Sequence, residues 1–180
     1  MKKIVLILAL ALAILTANAQ IQKLAGPRIG FTILTHGSSS DFINDREEDD
    51  KGVYIEDQKM AFISQYGWQW ESRFLDDGNI AGLVEWVVLV GGMEQGMFLP
   101  AVSSLVGVRM GSGFEVAGGP NLSLSGIGMV FTVGKNFQSG NLNLPLNIAF
   151  VPGKSSAWGG DDNGPTGARI SLILGFNMNK

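Results

Sequence analysis

Apolar and polar residues alternate in steps of two through most of the chain after residue 27. The segment from Leu142 to Phe150 shows this clearly, because bulky apolar residues take every second position and smaller or polar residues separate them. A period of two is typical of β-strands with one polar and one apolar face. Turn-forming residues divide the pattern into eight predicted strands, at about 28–35, 60–74, 80–91, 98–110, 114–124, 127–137, 142–151 and 166–178.

The predicted connections differ in length in a regular way. The second, fourth and sixth are tight turns rich in glycine and polar residues (75–79, 111–113 and 138–141), whereas the first and last are long polar loops at 36–59 and 152–165. An up-and-down meander of this kind places all its tight turns at one end of the sheet. We therefore expect an all-β fold, an eight-stranded antiparallel up-and-down β-barrel that crosses a membrane.

The two faces of the predicted strands differ sharply in composition. One face consists of Phe, Trp, Leu, Ile, Val and Met, with Lys135 as its only charged residue. The opposite face combines glycine and amides with seven charged residues, which are Arg28, Glu71, Arg73, Glu85, Arg109, Glu115 and Arg169. An eight-stranded barrel has an interior only just wide enough for side chains to fill. The bulky face should therefore point outward, toward lipid.

The seven charged residues then face the lumen, where buried charges persist only when they are paired. We expect them to form an ion-pair network that plugs the barrel. Which arginine pairs with which glutamate depends on the stagger between strands, and the alternating residue pattern does not reveal that stagger. Two alternatives remain open at this level: a narrow pore for small solutes, and a secreted two-sheet sandwich whose apolar faces pack together.

Three prolines complicate the strand assignment. Pro100, Pro120 and Pro145 lie inside predicted strands, and proline has no N–H to donate to a ladder. Each of them should mark a strand end, a bulge or a shifted boundary.

The first 19 residues have the character of a cleavable signal peptide. Lys2 and Lys3 precede an apolar run from residue 4 to 15, and Ala17-Asn-Ala19 suits cleavage before Gln20. The barrel domain would then be 20–180. The full chain has 13 basic and 16 acidic side chains and no cysteine, so neither a nucleic-acid partner nor a disulfide framework is expected.

The terminal strand carries a resemblance to a known class of proteins. Gly167, Ile170, Leu172 and Phe176 are similar to the last strand that outer-membrane barrels present to their assembly machinery, although the chain continues to Lys180. With the strand pattern, the chain resembles the OmpA-type eight-stranded barrel and its stand-alone relatives. The resemblance implies a monomer in the outer membrane with both termini in the periplasm. Its partners would be membrane lipid, lipopolysaccharide and the assembly machinery, and its role structural or in surface interactions.

Candidate chemistry is sparse. His36 precedes Ser38, Ser39, Ser40 and Asp41, and some small outer-membrane barrels that modify lipid A use a His and a Ser at such a rim. Adjacent loop residues, however, offer no defined catalytic geometry. We therefore expect no catalytic residue and no enzyme activity. Acidic residues in the two long loops give a weak candidate cation site, formed by Asp45, Glu47, Asp49, Asp161 and Asp162. Their spacing does not match an EF-hand, and no metal or cofactor is expected.

Overall fold

The computed structural model describes residues 23–44, 60–140, 142–155 and 165–178 of the 180-residue chain. The strands in these ranges are β1 (Lys23–Leu34), β2 (Ala61–Asp76), β3 (Ile80–Gly91), β4 (Leu99–Met110), β5 (Phe114–Ser123), β6 (Gly126–Ser139), β7 (Leu142–Val151), β8 (Arg169–Gly175) and β9 (Asn177–Met178). An α-helix, α1, spans Ser38–Asn44, and a 3₁₀-helix spans Met93–Gln95.

The sheet closes on itself. Each strand from β1 to β8 is paired antiparallel with the next one along the chain. β8 also pairs with β1, from Gly175 opposite Arg28 to Arg169 opposite Leu34. β9 continues β8 beyond Phe176 and pairs with the start of β7. The predicted eight-stranded antiparallel up-and-down barrel is confirmed, and the two-sheet sandwich is wrong because both edges of the sheet are paired to each other.

The large apolar side chains point away from the barrel axis. Trp86, Phe131 and Ile148 lie on three different strands and are 52%, 52% and 49% exposed, and each of the other strands from β1 to β8 also has exposed large apolar side chains. The charged side chains Arg28 and Glu85 are each only 1% exposed, inside the barrel. The narrow interior therefore excludes the bulky face, as expected from its volume.

The interior also holds an apolar cluster that alternation alone does not predict. Its members are the small or medium-sized side chains that share the inner face with the charged residues, namely Val87, Leu89, Leu105, Ala117, Val130, Ala149, Val151 and Ile173. Their burial inside the barrel contributes about 25 cal/mol per Å² of apolar surface removed from water. The inner face is thus part apolar core and part polar network.

Pro145 and Pro27 explain why the last strand is divided. Pro145 pairs with Asn136 of β6, and the register of β7 places Gly175 opposite it on the other side. Because proline has no N–H, the β7 ladder is interrupted there and β8 ends. Pro27 of β1 flanks the same break, where the N–H of Phe176 donates to the Pro27 carbonyl oxygen at 3.2 Å.

The other two strand prolines, Pro100 and Pro120, also have a neighbouring strand on one side with which they do not pair. Pro100 is the second residue of β4. Pro120 falls in a gap of the β4–β5 pairing, between Gly118 and Asn121, which both have partners. The expectation that these prolines mark strand ends or interruptions is confirmed.

Helix α1 is the main departure from the sequence-based prediction, which had a single polar loop over 36–59. The N–H groups of Ser40 and Asp41 donate to the Gly37 carbonyl oxygen at 2.9 and 3.0 Å, so a helical turn forms at once after β1. Ile43 of α1 is buried in a second apolar cluster with Leu34, Ala61, Ile63 and Met97. No helix in the described ranges has the length and apolar content that a bilayer-crossing helix needs.

A pair of adjacent glycines tests the assignment of the inner and outer faces. A Cβ on Gly119, which points inward, would overlap the carbonyl oxygen of Ser104, whereas a Cβ on Gly118, which points outward, would meet nothing nearer than the Phe131 ring at 3.4 Å. We expect Gly119→Ala to lower the free energy of unfolding by about 1–3 kcal/mol. Gly118→Ala should leave it unchanged or raise it by up to about 1 kcal/mol. Denaturant unfolding of the two refolded variants measures both effects, and equal effects would contradict the assignment.

Candidate functional site

The centre of the polar interior is the guanidinium of Arg109. Arg109, near the end of β4, lies directly opposite Glu115 near the start of β5. Its Nη1 and Nη2 donate to the two carboxylate oxygens of Glu71 at 2.7 Å each, and its Nε and Nη2 donate to Glu115 Oε2 at 2.8 and 2.5 Å. This fork is the bidentate geometry in which arginine and carboxylate bind most strongly.

Glu85 introduces a like charge beside this group. The register of β2 and β3 places Glu85 directly opposite Glu71, and two carboxylates facing each other across strands repel. Gln69 meets Glu85 from the same strand pair, because its Nε2 donates to Glu85 Oε1 at 2.6 Å. The amide therefore lies between Glu85 and the next cation of the interior, Arg28.

Arg28 is held by neutral partners. Its Nε donates to Gln69 Oε1 at 2.9 Å, and its Nη1 donates to Asn177 Oδ1 at 2.8 Å and to the Pro27 carbonyl oxygen at 3.0 Å. The guanidinium occupies the space beside Gly175, where any Cβ would collide with it. The break between β8 and β9 thus provides both the room and an acceptor for a buried cation.

Arg73 lies at the tight-turn end of the barrel, next to the fork. Its Nη1 donates to Asp76 Oδ2 at 3.0 Å, and its Nε is 3.5 Å from Glu71 Oε1. The structure therefore brings together Arg73, Arg109, Glu71 and Glu115 as direct ion pairs, and it connects Glu85 and Arg28 to them through Gln69. We refer to these seven residues as the plug cluster.

Arg169 is the predicted network member that lies apart. It begins β8 at the long-loop end, where its Nη1 donates to Ser123 Oγ and its Nη2 to Asn121 Oδ1, both at 2.9 Å. Neither acceptor is charged. The prediction placed Arg169 in one network with the glutamates, but Arg169 begins β8 beside the second long loop, at the opposite end of the barrel from Glu71 and Glu115.

The weaker candidates can be placed only in part. The acidic loop residues proposed for a cation lie outside the described residues, and these are Asp45, Glu47, Asp49, Asp161 and Asp162. Within the described ranges, no group of three His, Cys, Asp or Glu side chains is arranged to hold a metal ion. His36 Nδ1 is 3.8 Å from Asp41 Oδ1 with both side chains about half exposed. The hydroxyl of Ser40 is buried and donates to the Gly37 carbonyl oxygen.

Three cavities along the barrel differ in their lining. A cavity of about 260 Å³ opens at the long-loop end beneath α1, and one of about 60 Å³ lies inside the barrel. A third, of about 380 Å³, opens at the tight-turn end, where Arg73 and Arg109 line it. Arg73 and Arg109 line this last cavity and Gln69 lines the interior one, so the plug cluster lies between the two cavities.

Sequence reasoning missed two features of the interior. Gln69 and Asn177 are among the amides of the polar strand face, yet nothing in the sequence marks them as the hydrogen-bond acceptors of Arg28. The cavity beneath α1 was not anticipated, because it requires the unpredicted helix. The run of small polar residues Ser38, Ser39, Ser40 and Asp41, typical of helix N-termini, was the one local signal for that helix.

The comparisons with known proteins leave function to be argued from this geometry. No protein-family model matches the chain, and no curated protein matches it. The physical features of the barrel surface, the plug cluster and the cavities therefore carry the functional argument.

The fork at Arg109 predicts a large dependence of stability on one side chain. Arg109→Met would leave Glu115 buried without its cation and Glu71 with only the 3.5 Å approach of Arg73, and breaking a buried pair in this way costs about 3–5 kcal/mol. Asp76→Asn is the matched control, since it breaks only the exposed pair with Arg73, and exposed pairs contribute little to stability. Denaturant unfolding should show this difference.

A compensating variant checks the cause of that loss. Adding Glu71→Gln and Glu115→Gln to Arg109→Met removes the uncompensated charges, and we expect it to recover part of the lost stability. A triple variant as unstable as Arg109→Met, or more so, would show that packing rather than charge explains the loss.

Proposed function

We propose that the protein is an integral outer-membrane β-barrel with an ion-paired, plugged lumen and a structural or surface-interaction role. The observation that carries this proposal is the closed ring of strands whose outward side chains are large and apolar on all sides. Water-soluble monomers rarely expose contiguous apolar patches beyond about 300–600 Å². A closed barrel with this exterior matches the hydrocarbon of a bilayer, and closure satisfies the backbone groups there.

Aromatic side chains near the tight-turn end support the same proposal. Phe74, Phe114, Phe137 and Phe176 are all exposed at that end of the barrel. Phe74 lies at a bulge between Arg73 and Leu75. Rings at such positions form the interfacial girdles of membrane barrels. Because such barrels have short periplasmic turns and longer extracellular loops, the tight turns would face the periplasm and α1 would lie on the cell surface.

The remaining features of the proposal follow from the sequence and the closed sheet. Residues 1–19 would direct export and be removed, and both termini of the mature chain would be periplasmic. The outer wall would contact membrane lipid and lipopolysaccharide, and the terminal strand would engage the assembly machinery. Because closure leaves no strand edge for pairing with another chain, the proposed state is a monomer. No enzymatic role is part of the proposal.

A charge on the outer wall distinguishes a lipid-facing surface from a water-facing one. Val133 lies near the middle of β6, points outward and is 41% exposed. In lipid, Val133→Arg should cost about 2–4 kcal/mol and reduce folding into phospholipid vesicles, whereas in water an exposed arginine would be tolerated. Ser112→Arg, in an exposed tight turn, is the control and should insert normally. Vesicle flotation with heat-modifiable gel migration measures insertion. Equal insertion of the two variants, or a mature chain soluble without detergent, would refute the proposal.

The plug cluster separates this proposal from a narrow pore. We expect the refolded protein to show no steady conductance in planar bilayers, because the plug cluster and the buried apolar cluster that includes Leu89 and Ile173 both occupy the lumen. Steady conductance of the natural chain would instead favour the pore.

A further inference from the structure

The cavity beneath α1, which we call the mouth cavity, is built differently from the rest of the interior. It measures about 260 Å³ and lies between α1 and the rim of the barrel. Its walls are mostly apolar and come from α1, five strands (β1, β2, β4, β5 and β8) and the turn after β5, with Leu34, Phe42, Ile43, Ile63, Leu99 and Leu124 among the lining residues. Small-molecule sites are typically apolar concavities with a few fixed polar groups.

The polar groups of the mouth cavity include a cation. Arg169 lines it and also lines the smaller interior cavity, and its hydrogen-bond acceptors, Ser123 and Asn121, are both neutral. Among the described residues, no carboxylate pairs with Arg169. Lys154 adds positive charge nearby: burial, together with the charge of Arg169, lowers the pKa of its ammonium group. The positive potential at this end of the barrel is therefore uncompensated within the described ranges.

A second polar group in the same cavity has no partner. The hydroxyl of Ser38, in the first turn of α1, is buried without a hydrogen bond to any described residue. An unpaired buried hydroxyl destabilises the fold, because it has lost its hydrogen bonds to water without gaining others. Ser38 and Arg169 line the same cavity, so two hydrogen-bond donors are available there to a ligand with an anionic end.

We propose that the mouth cavity binds a short amphipathic carboxylate, with the carboxylate on Arg169 and the alkyl chain against Phe42, Leu99 and Leu124. Arginine presents paired N–H donors that suit a carboxylate, and the apolar walls suit a methylene chain. The cavity is smaller than the about 300–1,000 Å³ common for drug-sized ligands, so the chain must be short. This function goes beyond the structural role proposed above, since the plug cluster takes no part in it.

The probe for this site is octanoate, titrated calorimetrically into the mature protein in phosphatidylcholine nanodiscs, with empty nanodiscs as the background. We expect saturable binding of octanoate by the natural chain and at least tenfold weaker binding of octanamide, which has the same chain but no charge. Equal binding of the two, or no binding of octanoate above the background, would overturn the proposal.

Variants locate the site. Arg169→Gln should weaken octanoate binding at least tenfold, and Arg169→Lys should weaken it less because it keeps the charge. Lys135→Gln removes one positive charge from the outer wall and should bind octanoate as the natural chain does. Unchanged binding by Arg169→Gln, or an equal loss in Lys135→Gln, would overturn the assignment.

One further variant keeps the test decisive if Arg169→Gln does not fold. Ala101 lines the mouth cavity, and Ala101→Leu would narrow it while leaving Arg169 in place. We expect this variant to bind octanoate several-fold more weakly and the shorter butanoate with little change. An equal loss of affinity for octanoate and for butanoate would show that the alkyl chain of the ligand does not occupy the cavity. Vesicle flotation of the natural chain tests the membrane proposal separately, so a failure of membrane insertion is distinguishable from a failure of octanoate binding.

Discussion

The width of its interior governs where every side chain of this barrel goes. Eight strands enclose a space that a modest number of side chains fills, so the large aromatic and branched residues are forced outward, as Trp86 and Phe131 show. Small residues are required inward, and Gly119 allows β5 to approach the backbone of β4 at Ser104. The same restriction leaves a few positions where long polar side chains fit, and these positions hold the plug cluster.

Charge inside so narrow a space is stable only when its partners are in place. Arg109 is balanced by two carboxylates, and it holds three strands together through side chains, because its partners come from β2 and β5. Arg28 is held in a different way: its Nε and Nη1 donate to amides and backbone carbonyls at the Phe176 break, whereas its Nη2 has no hydrogen-bond partner. Its position depends on Pro145 and Pro27, which prevent regular pairing there, and on Gly175, which leaves room for the guanidinium. The prolines that conflict with strand pairing thus help to create a binding place for a buried cation.

The two ends of the barrel have different chemistry. The tight-turn end is closed by ion pairs, with Arg73 and Asp76 at its surface. The long-loop end has an apolar rim covered by α1, and its one interior arginine, Arg169, has only neutral acceptors among the described residues. In the proposed orientation, the closed end would face the periplasm and the end with the mouth cavity would face outward. Loops and caps on a rigid scaffold are common places for binding, which agrees with a ligand at that end.

Strand positions and face composition could be read from the order of residues. Predicted strands at 80–91 and 142–151 match β3 and β7 to the residue, because an alternating period is a local property that needs no knowledge of neighbours. The outward direction of the apolar face also followed, since interior volume depends only on strand number. Helix α1 was missed because its only large apolar residues, Phe42 and Ile43, are too few to show a helical period. Which arginine meets which glutamate could be known only from the folded barrel. Stagger between strands sets those partners, and it placed Arg109 between Glu71 and Glu115, because residues distant in sequence meet only when the sheet closes at one particular register.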